Sequence, residues 1–191
     1  TKGATGAIAA DGGFSTTGNV SLANNITTDQ TAISIGGTLT IADGKSVTLS
    51  TQKTAGVGDI TLSGATNGTT GGTNETLTFN AGTGTLNVAA ISGAAGAADA
   101  TGLTAVTVTN AGTTNFNGAV AITGALTQTN AATGATTFAS TVAAGSATLK
   151  GTSFDVQNSL TTTGAVAVTN SGTFTKGATG AIAADGGFST T

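Results

Sequence analysis

The sequence predicts an all-β fold, a right-handed parallel β-helix (β-solenoid) with roughly 20 residues per coil. Three observations predict it. Apolar residues spaced two apart recur along the whole chain, Gly and Asn turn signals separate them, and one segment is repeated letter for letter.

The apolar pairs are Val20/Leu22, Ile33/Ile35, Leu39/Ile41, Val47/Leu49, Ile60/Leu62, Leu77/Phe79, Leu86/Val88, Val106/Val108, Val120/Ile122, Phe154/Val156 and Val166/Val168. Thr, Ser, Asn or Ala usually stands between the two members. This is strand alternation, with one apolar and one polar face. The strands it predicts are short, about three to five residues. Asp11-Gly12-Gly13, Ile35-Gly36-Gly37, Asp43-Gly44, Asn67-Gly68, Gly71-Gly72, Ala81-Gly82, Asn117-Gly118 and Ser171-Gly172 supply the corners, because Gly and Asn accept the positive φ of tight turns. The Ala-rich stretch 89–100 is broken by Gly93 and Gly96 and reads as a loop or loose turn rather than a helix.

Residues 1–17 (TKGATGAIAADGGFSTT) and 175–191 are identical, so that Thr1 recurs as Thr175 and Thr17 as Thr191. The expected organisation is one full tandem repeat over 1–174, followed without a linker by the start of the next copy, 175–191. A sandwich or barrel of hairpins also uses many short strands. The absence of longer amphipathic strands, the small content of large apolar residues and the linker-free repeat favour the solenoid, in which each unit completes its neighbour's core. One period then advances a rod by roughly 40 Å at the usual strand spacing. Inward positions fall to the named Val, Ile, Leu and Phe, with Ala in narrow corners. Interior Asn ladders are a further expectation at Asn80, Asn110, Asn117 and Asn170, beside the simpler reading of each as a turn residue.

Composition sets the boundaries. The 191 residues contain no Cys, Pro, His, Met, Trp or Tyr, and charged residues are 7% of the chain against about 25% in an ordinary domain. Val, Ile, Leu and Phe number 37, about 19%, which alone would resemble a disordered chain. A net charge of −3 gives too little self-repulsion to hold the chain open. Five Lys without Arg cannot track a phosphate backbone, so nucleic acid is excluded as a partner. No apolar run approaches the roughly 20 residues of a membrane span.

The stretches GDITLSG (58–64), ETLTFNAGTGTLNV (75–88), LTAVTVTNAGTTNFNGAVAITGAL (103–126) and SLTTTGAVAVTNSGTF (159–174) resemble the repeats of giant filamentous-haemagglutinin-like and autotransporter-type tandem-repeat bacterial surface proteins. The resemblance covers most of the chain and lies in a loose repeat pattern. It implies a right-handed parallel β-helix, secretion to the cell surface, and a role in adhesion or as a stalk. It transfers no catalytic residue. The handedness also follows the general rule for parallel crossovers.

Nothing in the chain assembles a recognisable chemical site. Without His or Cys, transition-metal sites are nearly excluded. Asp11, Asp43, Asp59 and Asp185 are the residues open to calcium, but they lack the regular spacing of calcium-binding β-rolls and read as turn residues. The eight acids, Asp11, Asp29, Asp43, Asp59, Glu75, Asp99, Asp155 and Asp185, are dispersed, whereas acid–base catalysis needs a paired set. Segment 68–74 lacks the Lys-Ser/Thr of a phosphate loop. Asn19, Asn25, Asn67 and Asn74 begin glycosylation sequons of a kind that arises by chance in Asn- and Thr-rich sequence. Thr-x-Thr pairs occur at Thr38/Thr40, Thr76/Thr78, Thr83/Thr85, Thr107/Thr109 and Thr127/Thr129, at irregular intervals.

No catalytic, cofactor-binding or metal residue is assigned, and no enzyme is expected. The expected function is a structural repeat of a long extracellular bacterial surface fibre, acting as adhesin stalk or fibre body at the cell surface. Its partners are neighbouring copies stacked end to end, with lateral homo-assembly as an extension. A self-assembling extracellular filament or sheath subunit is the alternative, and a sugar- or ice-binding solenoid a further one.

Overall fold

The computed structural model describes residues 6–69, 74–92, 103–130 and 134–191. Among them the chain forms 23 strands and no helix. Strands of successive coils pair in parallel, so the chain climbs through a β-solenoid of about eight turns with about 22 residues per turn.

Each coil visits three faces in turn. Face I holds nine strands: Ile8–Ala10, Ile26–Thr28, Ser46–Ser50, Thr76–Asn80, Ala105–Asn110, Ala125–Gln128, Ser146–Gly151, Val166–Asn170 and Phe188–Thr190. Face II runs from Phe14–Thr16 through Ile33–Ile35, Thr113–Phe116, Ala135–Phe138 and Ser153–Val156 to Phe174–Lys176. Face III runs from Val20–Leu22 through Leu39–Ile41, Val120–Ala121, Val142–Ala144 and Leu160–Thr162 to Ile182–Ala184. In mid-chain two eight-residue strands, Ile60–Asn67 and Thr85–Ser92, cross from face II to face III without a break. They are longer than the strands that alternation predicts because the chain turns this corner while still extended. The register between the two slips at Val88/Ala90, so the inward residue after Val88 is Ile91 and the period of two is lost. That slip corrects the reading of 89–100 as loop: 89–92 belong to the strand, and 93–100 lie outside the described residues, as do Gly71 and Gly72.

The alternation fixes what faces inward. Of the apolar pairs named above, Val20 is half-buried at an end of the rod and every other member is buried. Inward residues of one coil stand on those of the next: Ile33 pairs with Ile60, Leu77 with Val106, and Phe116 with Phe138. The rings of Phe116 and Phe138 stack with centroids 5.2 Å apart and planes 4° from parallel. Polar residues also enter the interior. Thr136 Oγ1 donates to Gln128 Oε1 at 3.0 Å, and Gln128 Nε2 donates to the Lys150 carbonyl at 2.9 Å, which satisfies two side chains that would otherwise be costly to bury.

Coil lengths are unequal. One circuit carries Ile8 to its partner Ile26, whereas a much longer one carries Leu49 to Phe79. The extra length of that longer circuit includes 51–59, which leaves the corner between faces I and II and braces it. Gln30 Nε2 donates to Thr54 Oγ1 at 2.8 Å, the Thr54 N–H to Asp29 Oδ1 at 3.2 Å, and the Lys53 N–H to the Thr28 carbonyl at 3.1 Å.

Glycines mark the corners where coils approach most closely. From face III to face I, the Gly145 N–H donates to the Gly124 carbonyl and the Gly164 N–H to the Gly145 carbonyl, each at 2.7 Å. A Cβ on Gly145 would lie 2.5 Å from the Thr123 carbonyl oxygen, and one on Gly134 1.6 Å from that of Gly112. Both obstacles are backbone, which cannot swing aside. Gly145→Ala is therefore expected to destabilise the fold by about 1–3 kcal/mol, the usual range for overpacking. A lowered midpoint in chemical denaturation checks this, and an unchanged midpoint contradicts the close-approach account.

Candidate functional site

The chain offers three kinds of surface that could act: its scattered acids, its outward side-chain columns and its two ends. The described acids do not converge. Asp11 pairs with Lys53 at 2.5 Å, two exposed side chains at 76% and 49% exposure. The hydrogen bond to Asp11, then its charge, holds the Lys53 ammonium above its ordinary pKa. The pairing favours the fold while Lys53 is protonated and fades as pH rises through that raised value; solvent screening keeps the effect small. Asp59 Oδ1 accepts the Thr85 N–H at 2.7 Å, so it joins two coils at a corner. Asp43 and Asp185 are exposed in turns, and Asp155 faces outward and accepts from Gln157 Nε2 at 2.8 Å. Asp99 lies outside the described residues. Among the described residues no three His, Cys, Asp or Glu stand close enough to hold a metal ion, so the calcium candidates Asp11, Asp43, Asp59 and Asp185 are not gathered into one site.

Glu75 is the exception to the outward rule. It directly precedes the strand Thr76–Asn80, is fully buried, and neither carboxylate oxygen has a hydrogen-bond partner among the described residues. Thr66 and Thr114 have buried hydroxyls in the same condition. A carboxyl group buried without a hydrogen-bond partner is a cost to the fold.

The outward columns are more ordered than the sequence indicates. On face I, Thr48, Thr78, Thr107, Thr127 and Thr148 stand in register on five successive coils, followed by Ala167 and Ser189. Their hydroxyls and methyls repeat at the strand spacing of about 4.8 Å. The sequence intervals between these threonines are uneven, wide from Thr48 to Thr107 and narrower from there to Thr148. Unequal coils convert that irregular spacing into a regular row. Of the Thr-x-Thr pairs, Thr78, Thr107 and Thr127 lie in it.

Asparagines ladder too, but outside the core. Asn80 pairs in register with Asn110, and Asn130 Nδ2 donates to Asn110 Oδ1 at 3.2 Å. On face II, Asn115 Nδ2 donates to Asn87 Oδ1 at 2.9 Å. None of these is fully buried, which corrects the expectation of interior ladders: apolar side chains and threonines fill the inside. Asn117 is exposed, and Asn170 Nδ2 closes a local turn on the Gly172 carbonyl at 2.7 Å. The sequon residues Asn19 and Asn25 act as corner brackets, accepting the Thr38 and Thr48 N–H groups at 2.9 and 2.8 Å. Asn67 is a strand residue and Asn74 an exposed one at φ 66°. A shallow groove of about 310 Å³ lies along Ile122, Thr123, Ala143, Ala144, Gly145 and Thr161–Thr163, without a charged residue in its lining.

Among the described residues the strands Ile8–Ala10, Phe14–Thr16 and Val20–Leu22 are each paired on one side only, as are Phe174–Lys176, Ile182–Ala184 and Phe188–Thr190. Ile8, Phe14 and Val20 at one end, and Phe174 and Ile182 at the other, are half-buried extensions of the core. Phe188 is 45% exposed and tilts against Phe174 with ring centroids 5.6 Å apart. Among the described residues no helix is long and apolar enough to cross a membrane.

Comparison with protein-family models, with curated proteins and with solved structures finds no match for this chain.

Replacing the buried acid tests its role. Glu75→Leu removes two oxygens that have no partner among the described residues and is expected to raise stability by about 1–3 kcal/mol, the cost of burying such a group unsatisfied. Calorimetric or denaturant midpoints of the two proteins check this; a lower midpoint in the variant would show that the carboxylate is held by something.

Proposed function

We propose that this chain is a structural repeat of a long extracellular bacterial surface fibre, serving as adhesin stalk or fibre body. The observation that carries the reading is the unbroken parallel stack. Inward residues of each coil stand on those of the next, and the strands of 175–191, the segment identical to 1–17, join the same sheets without a linker. The resemblance of the repeats to filamentous-haemagglutinin-like surface proteins supports the same reading. So does the chemistry of the surface: few charges, no thiol and outward Thr, Ser and Asn.

The mechanism is geometric. Stacked coils make a rod whose length grows with the number of copies, and nothing in it needs a cofactor. Open edges that are not covered by a further copy in the same chain are free to pair with another chain, which is how the filament or sheath alternative would arise. Chains of one, two and four copies, imaged by electron microscopy, are expected to be rods that lengthen by roughly 40 Å per copy. Beads joined by flexible links would end the fibre reading. End-to-end growth of single-copy rods with concentration would instead favour the self-assembling filament.

The threonine row on face I favours a second reading, a surface that binds sugar or ice. On that reading the chain slows ice recrystallisation or is retained by glycans, and T107K/T127K loses the effect while its circular dichroism is unchanged. The fibre reading expects no effect in either assay.

A further inference from the structure

The two identical segments do not occupy the same faces. Ile8–Ala10 and Ile182–Ala184 are the same three residues in the two copies, yet the first lies on face I, paired with Ile26–Thr28, and the second on face III, paired with Leu160–Thr162. Phe14–Thr16 lies on face II against Ile33–Ile35, while its counterpart Phe188–Thr190 lies on face I against Val166–Asn170. Both strands have moved back by one face. Nine strands on face I mark eight turns, from Ile8–Ala10 to Phe188–Thr190, and Ile182–Ala184 comes one face earlier. The period 1–174 therefore spans seven and two-thirds turns.

Resting on the reading of the chain as a tandem repeat, we propose that successive copies are rotated by one third of a turn about the rod axis, so that the repeat builds a fibre with threefold screw symmetry. What stands on face I in one copy stands on face III in the next and face II in the one after, and three copies close a whole number of turns. The axial step is about 37 Å per copy, and the true repeat about 110 Å, at the usual strand spacing.

The chemistry of the ends permits this. The inward residue at the head of each strand is Ile or Phe in both settings. Ile8 stands on Ile26 and Ile182 on Leu160, while Phe14 stands on Ile33 and Phe188 on Val166. The outward residues are Ala9 and Ser15 or their counterparts Ala183 and Ser189, small enough for any face. The segment thus carries an inside and an outside but no mark of which face it belongs to.

The consequence is an interaction surface with three directions. The threonine row of face I, confined to one side of a single copy, recurs around the fibre in steps of one third of a turn. The fibre then has no privileged side. A sheet-forming rod, by contrast, would keep its patch on one line.

Two measurements test this. The chain has no cysteine, so engineered pairs report the phase directly. In the oxidised full chain, T161C/A183C is expected to close a disulfide, because these outward residues are register partners, whereas A167C/A183C is not. The reverse result would put Ala183 on face I, as Ala9 is, and overturn the rotation. Images of chains with at least six copies are then expected to show a repeat of about 110 Å, three axial steps at the usual strand spacing. Rods whose true repeat is one copy long, a whole number of turns of about 34 or 38 Å with no rotation, would overturn the rotation while leaving the fibre reading intact. An absence of rods would remove the fibre reading itself.

Discussion

Every feature of this molecule depends on one constraint: the backbone of each coil must lie one strand spacing above the last, in parallel register, around three faces. Parallel pairing leaves no room for a coil to be self-sufficient, because its N–H and C=O groups point up and down the rod rather than across a hairpin. The inward side chains obey the same spacing. Flat aliphatics and stacked rings such as Phe116 and Phe138 tolerate it, and so does threonine, whose shape is close to that of valine. At the corners the spacing is tighter still, and Gly145 and Gly134 stand where even a methyl group would meet the carbonyl oxygen of the coil below.

The same constraint explains how a chain with so few large apolar residues holds a core. A globular domain must fill a volume, whereas a solenoid must fill a narrow shaft, one coil's worth of inward residues at a time. Face II illustrates this. Phe116, Phe138 and Phe154 are buried on three successive coils, each shielded by the coil above and below rather than by a second layer. The polar exceptions sit in the same shaft and are tolerated where a partner answers them, as Gln128 is answered by Thr136 on the next face of its own coil and by the Lys150 carbonyl of the following coil. Glu75 shows the cost when, among the described residues, no neighbour does.

How much of this could be read from the sequence follows from which interactions are local. Alternation is local, so the pairs from Ile33/Ile35 to Val166/Val168 announced both strand and inward face. Coil length is not local. It depends on where a loop such as 51–59 leaves the corner and returns, and nothing in those residues states how far away the next partner will be. The threonine row on face I was hidden for that reason: its members are evenly placed in space and unevenly placed in sequence. Inward threonines were hidden for a different reason, since Thr28, Thr114, Thr136 and Thr162 differ from their outward counterparts only in position. The strand through 89–92 was lost where a register slip broke the period of two.

The two copies of the shared segment show that the face a strand occupies is not set by its own residues. A residue pattern that says only "in" and "out" is satisfied on any face, so the face is set by the count of corners that precede it. Inserting or removing one strand's worth of chain anywhere in the period would leave every local preference intact and rotate all that follows by a third of a turn. The angular relation between copies is therefore a property of the whole period rather than of its ends. A repeat spanning a whole number of turns would aim every copy the same way. One spanning seven and two-thirds distributes the same surface around the axis, with no residue dedicated to the task.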